Sequence, residues 1–201
     1  MKPLELCNSL KSKYPSQEVG CVCYVEPTCS KRGFCSDMQH IPVLDFDKIK
    51  DAFYHGLKVK TPASVDAVCV GGVQKHFCFV EMKGWDNYIN YLDKQKKSVQ
   101  QTVEGYNLDG KLLASQKLCI DMMKDPDLFA QMPVIFLLVT DINVKTNGIV
   151  AFADMMNKLG SNSSDIYSDC LSASKHTLDS IIHIDHKYIY CREFDDELSA
   201  L

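Results

Sequence analysis

Between Ser64 and Lys83 the chain reads SVDAVCVGGVQKHFCFVEMK, and within it Asp66, Glu81 and Lys83 could act together. Fourteen residues separate the two acids, and a single residue separates Glu81 from Lys83. A strand this apolar that ends by presenting a carboxylate and an ammonium side by side implies that water, a partner or a metal ion receives them. The plainer reading is an i, i+2 ion pair at an exposed sheet edge, worth less than about 1 kcal/mol. Asp66 would then be a strand-start or turn residue.

The elements that must position these side chains are two strands and a turn. Val65 to Val70 is short and valine-rich, Gly71-Gly72 supplies a turn needing positive φ, and His76 to Lys83 is rich in β-branched and aromatic residues. This predicts a β-hairpin. Side chains alternate along its second strand, so Glu81 and Lys83 share one face while Val80 and Met82 enter the opposite layer.

Asp66, the fourteen-residue spacer and Glu81-x-Lys83 at a strand end resemble the PD-(D/E)XK nuclease superfamily. Its core is a helix, a three-stranded meander, another helix and a further strand. Threaded onto it, residues 45–57 (DFDKIKDAFYHGL) are the first core helix, the 65–83 hairpin the central strands, 108–123 the second helix, and 133–140 (PVIFLLVT) the strand after it. The resemblance covers residues 45 to 141. The proline that often precedes the family's first aspartate is missing: Val65 stands before Asp66, and Pro62 lies four residues upstream.

The resemblance implies a metal-dependent nuclease. Asp66, Glu81 and the backbone carbonyl of Met82 would offer hard oxygen ligands to Mg²⁺ or Mn²⁺, with waters and a phosphate completing the shell. Lys83 would orient the attacking water, lower its pKa, or stabilise charge developing on the phosphate. Gln116, in Ser115-Gln-Lys117, matches by position the helix residue that in many relatives reaches the site. Asp47 or Asp51 could supply the acid some relatives carry on the first helix; the alternative is that both are solvated. Such a chain would act on nucleic acid, DNA first, and would fit prokaryotic restriction, repair or defence. Members of the fold can lose catalysis, so a silent module that binds a protein partner or completes a homo-oligomer is the alternative.

Composition bounds these readings. The 201 residues are 46% hydrophobic, enough for one core, and the net charge is −4 with a pI near 5.8. That balance argues against broad phosphate neutralisation on duplex DNA. Only two arginines occur, Arg32 and Arg192, so base reading would fall to lysine or a partner. Lys94, Lys96 and Lys97, with Trp85, Tyr88 and Tyr91, could form a basic aromatic ridge for nucleic acid; a solvated helix face over core aromatics is the competing reading.

Ten cysteines are many for this length. The start, MKPLELCNSLKSKYP, lacks an apolar h-region, and no window is long enough to span a bilayer, so a cytoplasmic, reducing location without membrane contact is expected. Cys69, Cys78, Cys119, Cys170 and Cys191 lie in apolar segments, as small buried hydrophobes do. Cys21, Cys23, Cys29 and Cys35 could close a tetrahedral zinc site, with His40 as a substitute ligand. Their C-x-C-x5-C-x5-C spacing is not the paired knuckle, and reduced structural cysteines are the default; sensing of metal or redox state by this cluster is a further option.

The expected architecture is α/β: a mixed central sheet flanked by helices, with a restriction-endonuclease-like core. Residues 1–43 would form a Cys-rich N-terminal extension containing a helix at 4–13, and 44–201 the nuclease-like domain. The run from Trp85 to Met123 reads as two helices or one interrupted near Asn107 to Gly110. A helix at 149–159, a loop at 161–164 and one or two strands within 179–190 would be C-terminal additions. His176, His183 and His186 receive no role, and Glu193 to Glu197 reads as a solvated acidic tail.

Overall fold

The computed structural model describes residues 1–25, 40–73, 75–85, 98–141, 172–173, 175–176, 178 and 184–201. Among the described residues six strands form one mixed sheet in chain order: β1 (Glu18–Val19), β2 (Val43–Asp45), β3 (Ala67–Gly71), β4 (His76–Lys83), β5 (Val134–Thr140) and β6 (Asp185–Tyr190). Strands β1 to β4 pair antiparallel, whereas β4–β5 and β5–β6 pair parallel. The described helices are α1 (Pro3–Lys13), α2 (Phe46–Tyr54), α3 (Val99–Glu104), α4 (Leu108–Met123) and α5 (Phe194–Ser199), with short 3-10 turns between elements. None is long and apolar enough to cross a membrane.

The alternation expected along β4 divides the molecule into two layers. Phe77 and Phe79 face a core built with Leu6 and Leu10 of α1, Phe46 and Ile49 of α2, and Leu108, Leu112, Leu118 and Met122 of α4. Cys78, Val80 and Met82 face the other core, which includes Phe194 and Leu198 of α5. Because both faces are covered, β4 and β5 read as continuous apolar runs. Cys69 and Cys78 are register partners across β3 and β4, and both are buried free thiols.

Several expectations are revised by the structure. The third strand of the meander is β2, and it precedes α2; the 45–57 segment is therefore a helix inserted between the first two strands of β2–β3–β4, while α1 stands ahead of the meander. Asp45 ends β2 and caps α2 by accepting the Lys48 N–H at 3.0 Å. The described part of the expected N-terminal extension is built into both layers, through Leu6, Leu10, Cys21 and Val22. The acidic end is not a solvated tail: Asp195 accepts the Ile41 N–H at 3.1 Å and pairs with His40 at 2.6 Å, while Phe194 and Leu198 are buried. Residues 149–159 and 161–164 lie outside the described residues.

At the β3–β4 turn, positive φ falls on Gly72 (59°) and Val73 (50°), one position later than expected. Gly72 N–H donates to the Leu198 carbonyl at 2.9 Å, and a Cβ at Gly72 would overlap the Leu201 backbone. Gly72→Ala therefore combines backbone strain with a clash, and is expected to cost about 1–3 kcal/mol in chemical denaturation. Unchanged stability would show that the 194–201 segment yields at no cost.

Candidate active site

The site grows from the register of the hairpin. Ala67 opposes Val80, so the next step along both strands sets Asp66 beside Glu81, on the face occupied by Phe77 and Phe79. The Asp66 backbone carbonyl accepts the Phe46 N–H at 2.9 Å, fixing the start of α2 to this end of β3. Asp66 Oδ2 accepts the Met82 N–H at 2.6 Å. In a strand a residue's N–H and C=O point to the same side, so the Met82 carbonyl is also turned towards Asp66.

Glu81 is fully buried, and its Oε1 accepts from two ammonium groups, Lys83 Nζ at 2.5 Å and Lys111 Nζ at 2.5 Å. Glu81 Oε2 is buried without a hydrogen-bond partner. A carboxylate in this position requires compensation, since the desolvation of an ion costs several kcal/mol. Lys83 also lies over the Tyr106 ring, 4.8 Å from its centroid, and Tyr106 contacts the buried Trp85 at 5.8 Å. The Trp85 N–H donates to Asp141 Oδ1 at 2.6 Å. Beside Lys83 in the parallel register stands Thr140, whose hydroxyl meets Tyr188 OH at 2.5 Å.

Helix α4 is registered on the sheet by Ser115, whose hydroxyl donates to the Lys111 carbonyl at 2.8 Å and accepts the Val65 N–H at 3.0 Å. One helical turn earlier, Lys111 reaches Glu81. Asp47 of α2 is held by Lys50 at 2.7 Å and by the Ser64 hydroxyl, and its charge acts on Lys111. Asp51 is more exposed and meets Lys50 at 3.7 Å.

Burial, reinforced by the negative charge of Glu81, pushes the Asp66 carboxyl up to about 7, against the opposing pull of Lys83, Lys111 and the Met82 N–H. Burial draws the Lys111 ammonium down, but the charge and hydrogen bond of Glu81, with Asp66 and Asp47 behind it, outweigh this and hold it above the usual lysine value. Two interacting carboxylates, one perturbed towards neutrality, beside two ammonium groups are an arrangement suited to binding a cation and moving protons.

No family model, curated protein or solved structure matches the chain.

Of the residues singled out in the sequence, Asp66, Glu81, Lys83 and the Met82 backbone come together. Gln116 is one 100° step around α4 from Ser115 and makes no hydrogen bond to Asp66, Glu81 or Lys83. Lys111 takes the place on the helix expected for it. The signal was the Lys111/Ser115 pair, two polar residues four apart on the stripe that carries Leu108, Leu112, Leu118 and Met122. Tyr106 carried no such signal. Cys21 and Cys23 lie in the second apolar layer, where Cys21 Sγ accepts the Cys23 N–H at 3.4 Å; Cys29 and Cys35 lie outside the described residues. His40 is engaged by Asp195. Lys94, Lys96, Lys97, Tyr88, Tyr91 and His183 also lie outside them. Among the described residues no group of three or more His, Cys, Asp or Glu side chains is gathered to hold a metal, so a cation at Asp66 and Glu81 needs the Met82 carbonyl, water or substrate to complete its shell.

The Asp66 shift has a definite sign. A carboxyl raised in the folded state binds its proton more tightly there, so its deprotonation costs stability as pH rises from about 4 to about 7, beyond which the cost is constant. Asp66→Asn keeps an acceptor for the Met82 N–H and removes the titration. Wild type is expected to lose on the order of 3 kcal/mol relative to this variant across that interval, read by urea unfolding at a series of pH values. Parallel pH profiles would refute the assignment.

Proposed function

We propose that the chain is a metal-dependent nuclease that hydrolyses phosphodiester bonds, with DNA as substrate. The observation that carries this reading is the buried, unpartnered Oε2 of Glu81 beside Asp66: two oxygen-bearing side chains with free lone pairs, where β3 begins and β4 ends, and a lysine two residues away. The resemblance to PD-(D/E)XK nucleases supports it through Asp66 and Glu81-x-Lys83. So does the order of an antiparallel meander, helix α4 and a parallel strand β5, with α1 ahead of them.

The residues fit Mg²⁺ or Mn²⁺, which Asp66, Glu81 and the Met82 carbonyl would hold. Bound there, the ion supplies a Lewis acid for a phosphoryl oxygen and favours ionisation of the attacking water. Asp66 presents one carboxylate oxygen while the Met82 N–H fixes the other. Lys83 is held between Glu81 and the Tyr106 ring, with its ammonium beside the carboxylate that would take the ion. It would orient the attacking water and balance the negative charge that develops on the phosphoryl oxygens. The buried surroundings of Glu81 strengthen each of these interactions relative to water.

Lys83→Ala should therefore reduce cleavage by about 10²-fold or more on a panel of supercoiled, linear and single-stranded DNA and RNA in Mg²⁺ or Mn²⁺. Equal activity in both proteins would assign the chemistry elsewhere.

One observation favours the second reading, a catalytically silent module that binds a protein partner. The charges of Asp66, Glu81, Lys83 and Lys111 compensate one another with no further cation. Mn²⁺ titration separates the two. The nuclease reading expects binding by wild type that is lost in the Asp66→Ala, Glu81→Ala double variant, and equal heats from both would leave the silent module.

A further inference from the structure

We propose that Lys111 is a displaceable counter-ion: it neutralises Glu81 while no divalent cation is bound, and when one takes Glu81 it moves to a phosphate oxygen of the substrate. The inference rests on the nuclease reading above and gives that site a further substrate-binding residue.

Three observations carry it. Lys83 and Lys111 share one oxygen, Glu81 Oε1, at 2.5 Å each, so two positive charges already stand on the carboxylate whose unpartnered Oε2 would hold the cation. Adding a divalent ion on the same carboxylate sets like charges together in a buried place, and one ammonium must withdraw. The two lysines are not equally free. Lys83 rises from the end of β4 and lies against the Tyr106 ring, whereas Lys111 has Glu81 as its only hydrogen-bond acceptor among the described residues. Lys111 also stands on a helix that Ser115 anchors to Val65, so its four-carbon stem can swing while its Cα stays fixed.

The direction of the swing follows from charge. Lys111 feels Glu81, Asp66 and Asp47 as its anionic neighbours and Lys83 as a cationic one. Once Asp66 and Glu81 are committed to a cation, a phosphodiester oxygen brought to the same ion becomes the available anion beside it. A lysine serves there as a point charge and needs no bidentate geometry. In this chain, with two arginines and a net charge of −4, an internal lysine of this kind supplies phosphate affinity that the overall composition lacks.

The test is calorimetric titration of Mn²⁺ into the full chain as wild type, Lys111→Met, Lys111→Gln and Lys111→Arg, with circular dichroism confirming that each is folded. Lys111→Met and Lys111→Gln should bind Mn²⁺ about tenfold more tightly than wild type, and Lys111→Arg should not. With Mn²⁺ saturating, Lys111→Met should bind a short phosphorothioate DNA about tenfold more weakly, and Lys111→Arg should recover the loss. Equal Mn²⁺ affinity in wild type and both neutral variants overturns the counter-ion role and leaves the nuclease reading standing. Unchanged DNA affinity in Lys111→Met overturns the phosphate role. Mn²⁺ binding to none of the four proteins removes the site on which the inference rests. If only Lys111→Met fails to fold, the glutamine variant decides.

Discussion

The carboxylate of Glu81 is the constraint around which this end of the molecule is organised. It is fully buried near the end of a strand whose preceding residues on that face, Phe77 and Phe79, are aromatic core. An ion placed there without compensation would disfavour the fold by several kcal/mol, so cations must be brought to it from elements that are themselves fixed. One comes from its own strand. The other comes from α4, and the hydroxyl of Ser115 sets the register in which that helix crosses the sheet. Core packing and site assembly are thus one problem: Leu108, Leu112, Leu118 and Met122 hold α4 down, and the same helix face delivers Lys111.

The strand directions place the site at this end of the central strands. Between β4 and β5 the sheet passes from antiparallel to parallel pairing, so both strands finish together and the chain leaves them in the same direction. Lys83 and Thr140 end in register, with Tyr188 meeting the Thr140 hydroxyl. The end of β3, where Asp66 stands, closes the other side. Concave ground at the carboxyl ends of parallel strands is where α/β sheets commonly bind ligands.

Much of this was legible in the sequence, for identifiable reasons. β4 and β5 are long enough for alternation and β-branched content to be read, and α4 runs 16 residues with an apolar stripe. The mixed α/β sheet and the meeting of Asp66, Glu81 and Lys83 follow from those signals. β2 has three residues and merges into the Asp45 cap of α2, too short for any period, so the helix inside the meander was placed before it. The acidic end concealed α5 because Asp195, Asp196 and Glu197 outweigh the Phe194/Leu198 pair, although a spacing of four marks one helix face. Gln116 came from position in the family pattern alone; Lys111 was not singled out, since the polar Lys111/Ser115 pair on the apolar stripe gains its meaning only from the buried partner on another strand.

The paired thiols of Cys69 and Cys78 give the same hairpin a built-in reporter. Their mutual hydrogen bond and their burial hold the Cys69 thiol well above its ordinary value, and burial does the same for Cys119 on α4. A thiol kept protonated and out of reach does not meet an alkylating reagent while the chain is closed. The rate at which Cys69 and Cys78 are modified therefore counts openings of the layer that covers the far face of β3 and β4, and Cys119 reports on the layer that holds α4 over the site.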